Sequence, residues 1–217
     1  EPCAVFPGDG WPTTPPDYAL PGGAPLSYTD NGDGTFTDDN TGLMWEKKTG
    51  TVGDPVECSE ENFAVPQCLF VADVNNRWTW TADYNGTQPE GTAFEFFLVM
   101  RNETCGGETY GALCASDADC ASAAIPFCGL GGHTDWRLPT VKELQSLVDY
   151  SQYNPAELKN TSGEVLLPGA TASYYYWSST AYAGNGDYAW LVDFDSGGVY
   201  NYLKVYDNHV RAVRGGW

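Results

Sequence analysis

The densest concentration of side chains able to do chemistry lies near the C-terminus. Tyr188, Trp190, Tyr200, Tyr202 and Tyr206 share a short stretch with Asp207, Asn208 and His209. Tyrosine offers broad contact area for little entropy loss, while Asn and Asp offer adaptable hydrogen bonds. A sugar ring presents an apolar face and hydroxyl edges, so this mixture suits a glycan. It suits a protein ligand equally well. Side chains alternate across a strand, so only about half of this set can share one face; the rest are core or turn residues.

Two groups of oxygen ligands could hold a hard cation. Asp30-Asn31-Gly32-Asp33-Gly34, with Asp38 and Asp39 behind it, resembles a calcium loop in which Asp30, Asp33 and Asp38 would be ligands. The spacing departs from an EF-hand: Gly32 occupies a ligand position and no Glu closes the loop. A hairpin turn explains Asn-Gly and Asp-Gly without an ion. Asp193, Asp195, Asp207 and Asn208 form a second oxygen-rich set. The reading requires no cofactor, and calcium is the one ion it provides for.

Catalytic patterns are weaker. The two histidines, His133 and His209, have no nucleophile motif such as GxSxG nearby. The carboxylates cluster in turns, where Asp is expected anyway, so the expectation is a non-enzymatic protein.

The elements that must position these residues follow from local signals. Ser27-Tyr28-Thr29 and Thr35-Phe36-Thr37 flank a turn at 31–34 and predict a hairpin, with Leu43-Met44-Trp45 as a further short strand. Phe94, Phe97 and Leu98 predict a helix over 92–101. Thr140-Val141-Lys142-Glu143 is a capping box behind Pro139, predicting a helix that buries Leu144, Leu147 and Val148 and ends near Tyr150. Strands are predicted over 188–194, 199–205 and 210–214, the first two joined by a turn at 195–198. Trp45, Trp136 and Trp177 are expected in the core, and Arg211 and Arg214 are expected to pair with acids and fix the last strand.

Totals bound the rest. The 217 residues carry 10 basic against 29 acidic side chains, a formal charge of −19. Such a surface repels phosphate backbones and anionic lipid, which argues against nucleic acid. The sequence lacks an apolar run long enough for a helical membrane span, so membrane insertion is not expected. Seven cysteines in no metal-binding pattern point to disulfides and an oxidising compartment. Cys58 and Cys68 suggest one local bridge. Cys105, Cys114, Cys120 and Cys128 suggest two more in open connectivity. Cys3 is left over, as a free thiol or a link to another chain, which leaves a homo-oligomer open. Seven prolines in 1–25 predict an extended arm. One domain is expected over 26–217, with cysteine-bearing insertions at 49–90 and 102–132. The fold class is α+β: two helices on short twisted antiparallel strands, rich in loops.

Several motifs together resemble a known family. They are Trp136-Arg137-Leu138-Pro139-Thr140 before the Glu143-Leu144 helix, the Asn31–Thr35 turn with Thr41-Gly42-Leu43-Met44-Trp45, Tyr176-Trp177-Ser178-Ser179-Thr180, Ala189-Trp190, and Val210–Gly215. The set resembles the family of domains typified by the C-terminal domain of the Legionella collagen-like adhesin, over about 27–48 and 92–217. The resemblance implies a C-type-lectin-like fold of the formylglycine-generating-enzyme branch and a role in adhesion through host glycosaminoglycans. The −19 charge departs from a polyanion binder. The oxidase members of the wider superfamily need a C-terminal cysteine pair, and this chain has no cysteine after Cys128. The C-terminus also resembles the variable proteins of diversity-generating retroelements. That likeness implies a fixed scaffold and display positions at Tyr188, Asp193, Asp195, Tyr200, Asn201, Tyr202, Tyr206, Asp207, Asn208 and His209. The functional expectation is an exported recognition or adhesion module at or outside the cell surface, its signal peptide already removed, with a glycan or protein ligand. The alternative is a structural subunit of an extracellular assembly joined through the arm and Cys3.

Overall fold

The computed structural model describes residues 26–58, 66–83, 86, 88–107, 112–150 and 165–215. The arm over 1–25, with Cys3, lies outside them.

The Asn-Gly and Asp-Gly turn forms where expected. Strands β1 (Tyr28–Asp30) and β2 (Thr35–Asp38) pair antiparallel, and β3 (Met44–Glu46) joins β2 with Phe36 opposite Trp45. A second sheet is only two residues wide: β4 (Val56–Glu57) lies parallel to β5 (Asn76–Arg77), with Glu57 opposite Arg77. The Phe-rich segment is helical. Its first part, Ala93–Leu98, is wound as a π-helix and continues into α1 (Val99–Glu103). Phe97 is buried, and Phe94 and Leu98 pack beside it.

The capping box starts α2 (Val141–Gln145). Thr140 Oγ1 accepts from the Glu143 amide at 3.3 Å, and Glu143 Oε2 accepts from the Thr140 amide at 2.7 Å. Arg137 grips both oxygens of Glu143 and reaches the Gly215 carbonyl. The helix ends earlier than the pattern predicts. The amides of Ser146, Leu147 and Val148 bond three residues back, and Ser146 Oγ takes the Glu143 carbonyl. This tightens the last turn, as a serine that bonds back onto the chain tends to do. Leu144, Leu147 and Val148 are nevertheless buried.

The C-terminal region supplies the third sheet, β6 (Tyr175–Ala181), β7 (Tyr188–Asp193) and β8 (Val199–Leu203), all antiparallel in that order. The last strand, β9 (Val213–Arg214), is shorter than predicted and closes the first sheet against β3. Shortening follows from side-chain chemistry: the Ala212 amide bonds the Glu46 carboxylate instead of a strand partner.

Sheet β6–β7 is apolar on both faces. Tyr176 and Val192 face a cluster with Phe36, Trp45, Leu144 and Val213. Trp177, Leu191 and Ala189 face a second cluster with Trp78, Trp80, Phe97 and Trp136. Trp45, Trp136 and Trp177 are thus core residues. So are Val71, Val74, Trp78 and Trp80, which corrects the reading of 49–90 as a mere stapled insertion. The Trp78 and Trp80 rings meet Phe97 and Phe94 at 5.6 and 5.0 Å, so this segment completes the core.

The disulfides are Cys58–Cys68, Cys105–Cys120 and Cys114–Cys128. The last two interlock in the 102–132 segment and form a small core of their own. Buried charge is concentrated at Glu46, which pairs with Arg101 at 2.6 Å and Lys48 at 3.0 Å. Arg211 lies alongside but donates to the Ala170 carbonyl and Thr171 Oγ1 rather than to an acid. Arg214 does pair with an acid, Asp135, at 2.6 Å.

Candidate ligand-binding face

Alternation divides the aromatic set. Tyr200 stands opposite Leu191 and Tyr202 opposite Ala189, on the face that also carries Tyr175 and Asp193. Tyr188, Trp190 and Asn201 point the other way, where Trp190 meets Tyr182 edge-on at 5.3 Å. Tyr206, in the loop after β8, brings its ring to 5.1 Å from Tyr202. Tyr202 and Tyr200 lie 6.2 and 6.1 Å from Tyr175, and Tyr174 lies 4.9 Å from Tyr175. Five tyrosines therefore form one continuous row. Tyr174, Tyr200, Tyr202 and Tyr206 remain 40 to 49% exposed. Burial and the Asp193 carboxylate hold the half-buried Tyr175 hydroxyl above its usual pKa.

The hydrogen-bonded ladder extends beyond the three-stranded sheet. A parallel bridge joins Tyr176 to His209, and an antiparallel bridge joins Asn208 to Trp78, directly after β5. The ladder β4–β5–(207–209)–β6–β7–β8 thus brings Glu57 and Arg77 to the face of His209 and Tyr176, opposite Tyr175, Tyr200 and Tyr202. The Arg77 guanidinium lies 4.1 Å from the Tyr174 ring centre. Burial and the Glu57 charge push Asp207 up to about 6 against the pull of Arg77.

Several expected site residues have other roles. Asn208 and His209 are buried, which corrects their assignment to a display surface. The His209 ring stacks on Tyr176 at 5.2 Å. Burial, then Arg77 and Lys48, lower its pKa to about 3. Asp193 is also buried, and it builds the turn between β7 and β8. Its carboxylate accepts from the Asp195 amide at 2.9 Å and from Ser196 Oγ at 2.6 Å. Gly197 completes that turn at φ +75°, and a Cβ there would lie 2.9 Å from Val148 Cγ1. Asp195 is half-buried beside it.

The hairpin aspartates also act within turns. Asp30 accepts from the Gly32 amide and pairs with Lys47, which holds its carboxyl below the usual range. Asp33 accepts from the Thr35 amide and hydroxyl. Asp38 accepts from the amides of Asn40 and Thr41. Among the described residues, the one grouping of three His, Cys, Asp or Glu side chains within metal-binding distance is Cys105, Cys114 and Cys120, all consumed in disulfides. The arrangement does not bring Asp30, Asp33 and Asp38 to one point, nor Asp193, Asp195 and Asp207.

The basic side chains are similarly occupied. Ten exist and Lys159 falls outside the described residues, leaving nine. Lys47, Lys48, Arg101, Arg137 and Arg214 pair with carboxylates. Arg211 bonds backbone and Thr171, Lys204 covers the Trp80 ring at 3.9 Å, and Arg77 covers Tyr174. Lys142 on α2 is the ninth.

Sequence reasoning passed over Tyr174, Tyr175, Glu57 and Arg77. A signal existed for the first two. In Tyr174-Tyr175-Tyr176, alternation forbids all three rings from facing the same way. No local signal marks Glu57 or Arg77, which arrive through the ladder.

This is a disulfide-stapled domain of mixed helices and sheets that carries an aromatic row on one sheet. The family model for the Lcl C-terminal domain matches residues 34–214, and the chain belongs to that family. The matched span includes 49–90, the segment that brings Trp78 and Trp80 into the core. Comparison with curated proteins returns no match. Among the described residues no helix is long and apolar enough to cross a membrane, and the disulfides fit an extracellular setting.

Proposed function

We propose that the chain is a non-enzymatic recognition module of C-type-lectin-like fold, exported to the cell surface or beyond, that binds a glycan or protein ligand through the tyrosine row. One observation carries the reading: four tyrosines, in ring contact with one another and with Tyr175, stay 40 to 49% exposed beside a core that buries Tyr176, Trp177, Leu191 and Val192 of the same sheet. Scattered exposed apolar residues are ordinary, but a contiguous aromatic patch marks a binding surface. Tyrosine is suited to it because its ring is rigid and its hydroxyl remains hydrated when no ligand is present. Membership of the Lcl C-terminal domain family, whose motifs resemble those of a collagen-like adhesin, supports a role in attachment.

The test is a glycan array and a cell-attachment assay run with the purified chain beside Tyr202→Ala/Tyr206→Ala, each with calcium and with chelator. The expected result is attachment that the double variant loses while its near-UV spectrum and melting temperature stay close to the parent. Attachment retained by a folded double variant would sink the reading. The chelator lanes are expected to match the calcium lanes, since the aspartates act within turns.

A further inference from the structure

The tyrosine row lies at the outer edge of the third sheet, where β8 pairs with β7 alone among the described residues. Tyr200 and Tyr202 stand exposed on β8 beside the half-buried Tyr175, and Tyr206 follows in the next loop. The same chain carries a segment whose chemistry fits such a surface. Its first 25 residues hold seven prolines, and the central stretch Trp11-Pro12-Thr13-Thr14-Pro15-Pro16 has no charged side chain.

We propose that residues 11–16 of the chain's own arm lie along the tyrosine row as an extended proline-rich strip and cover it until a ligand displaces them. The proposal rests on the reading of that row as a ligand surface. Spacing, polarity and reach support it.

Proline-rich segments favour the polyproline II helix, with three residues per turn and a rise of about 3.1 Å per residue. Pro12 and Pro15 then share one edge of the strip, about 9 Å apart. The row has a comparable interval: from Tyr206 over Tyr202 to Tyr175 there are two ring steps, of 5.1 and 6.2 Å. Successive rings are tilted by 41 and 37°, which opens shallow clefts of the kind that a pyrrolidine ring fills. Aromatic-lined grooves recognise extended proline-rich chains in this way, with little ordering entropy to lose.

Polarity agrees. A polyproline II helix makes no internal hydrogen bonds, and proline has no N–H, so the strip is rich in acceptors and poor in donors. Tyrosine hydroxyls donate, so the row supplies what the strip lacks. The uncharged stretch also avoids the repulsion that a chain of −19 would exert on an acidic peptide.

Reach permits the contact within one molecule. Tyr28 of β1 and Val199, the residue before Tyr200, pack on the same apolar cluster, so the arm joins the fold near the β8 edge. Residues 17–25 separate Pro16 from Leu26, and at about 3.1 Å each they extend up to about 28 Å. A short link of this kind holds the strip at an effective concentration of about 1 mM.

The test is tyrosine iodination of the full chain, mapped by mass spectrometry, in the parent and in Pro12→Ser/Pro15→Ser/Pro16→Ser. These positions precede the domain, and an unchanged melting temperature checks that it stays folded. Tyr202 and Tyr206 should react about 10-fold more slowly in the parent, the ratio expected for an intrinsic affinity of about 0.1 mM at that effective concentration. Tyr150, exposed beside α2, should react equally in both. A synthetic peptide of residues 10–18 should restore the protection to the serine variant, and the variant should attach to cells better than the parent. Equal rates at Tyr202 and Tyr206 in the two proteins would overturn the proposal. Protection confined to a dimer that the serine variant dissolves would seat the arm on a second copy and overturn the intramolecular assignment. If the rates are equal while attachment still depends on Tyr202 and Tyr206, the proposal fails and the recognition reading stands. If the protection is present while attachment survives in folded Tyr202→Ala/Tyr206→Ala, the seat of the arm stands and the recognition reading fails.

Discussion

His209 should make the domain sensitive to acid in a pH range where few other groups act. Its ring is buried against Tyr176, and burial together with Arg77 and Lys48 lowers its pKa from 6.5 to about 3, against the pull of the Asn76 and Val74 carbonyls. The folded state therefore keeps it neutral, while the unfolded chain protonates it below pH 6.5. The unfolded state then binds more protons, so stability falls as pH falls, by up to about 1.4 kcal/mol per unit from 6.5 towards 3. Glu46, Glu143, Asp30, Asp119 and Asp135 have lowered pKa values in the fold, so their contributions are lost from about pH 4.5 downwards. The window from 6.5 to 4.5 therefore isolates His209, apart from Asp207. That carboxyl acts in the opposite direction: raised to about 6, it stabilises the fold as pH falls from 6 towards 3.8. An Asp207→Asn background removes the opposition. In that background, urea unfolding followed by tryptophan fluorescence at pH 7.5, 6.5, 5.5 and 4.5 should show a loss of roughly 2–3 kcal/mol across the two lower units. The same series in Asp207→Asn/His209→Gln should be nearly flat. Equal pH slopes in the two proteins would refute the burial argument and return His209 to the solvent-facing set.

Asp207→Asn alone should raise stability at pH 7.5 by about 1 kcal/mol, a full-shift value reduced because the carboxyl is partly exposed to water; urea midpoints check it. Glu46→Gln should lower stability by about 3–5 kcal/mol, because Arg101 and Lys48 would stay buried without their carboxylate; a fall smaller than about 1 kcal/mol would contradict the ion cluster. Gly197→Ala should cost about 1–2 kcal/mol and lower the melting temperature, since a positive φ is combined with a contact on Val148. Non-reducing peptide mapping should recover Cys105 with Cys120 and Cys114 with Cys128. Breaking the first, which closes a separation of 15 residues, should cost about 3 kcal/mol.

What could be read from the sequence was what local physics determines. The hairpin at Asn31–Gly34, the capping box at Thr140 and the turn at 195–198 each depend on a few consecutive residues, and each formed. The Cys58–Cys68 pairing and the burial of Trp45, Trp136 and Trp177 also followed from nearby context. The pairings among Cys105, Cys114, Cys120 and Cys128 did not, because their similar spacings leave the connectivity open. Trp78 and Trp80 were missed for a related reason. Their segment has little regular structure, and its place in the core depends on bridges to Asn208 and Lys204, more than 120 positions away. Glu46 drew no reading from its sequence context; only the fold brings Arg101 to it from α1 and the Ala212 amide from the other end of the chain.

The candidate site shows the same division, and the reason is geometric. Alternation within 188–209 was legible from the sequence, but not that the core packs against both faces of β6 and β7. Where the sheet runs out to β8 and the loop after it, Tyr200, Tyr202 and Tyr206 are exposed, while Asn208 and His209 are drawn inside. Tyr174 gains its exposure by preceding β6, at the other end of the same row. Exposure thus follows from where each residue meets the edge of the double-sided core, not from its distance along the chain. Substitutions at Tyr174, Tyr200, Tyr202 and Tyr206 should consequently alter binding with little effect on stability. His209 and Asn208, adjacent to them in sequence, should do the reverse.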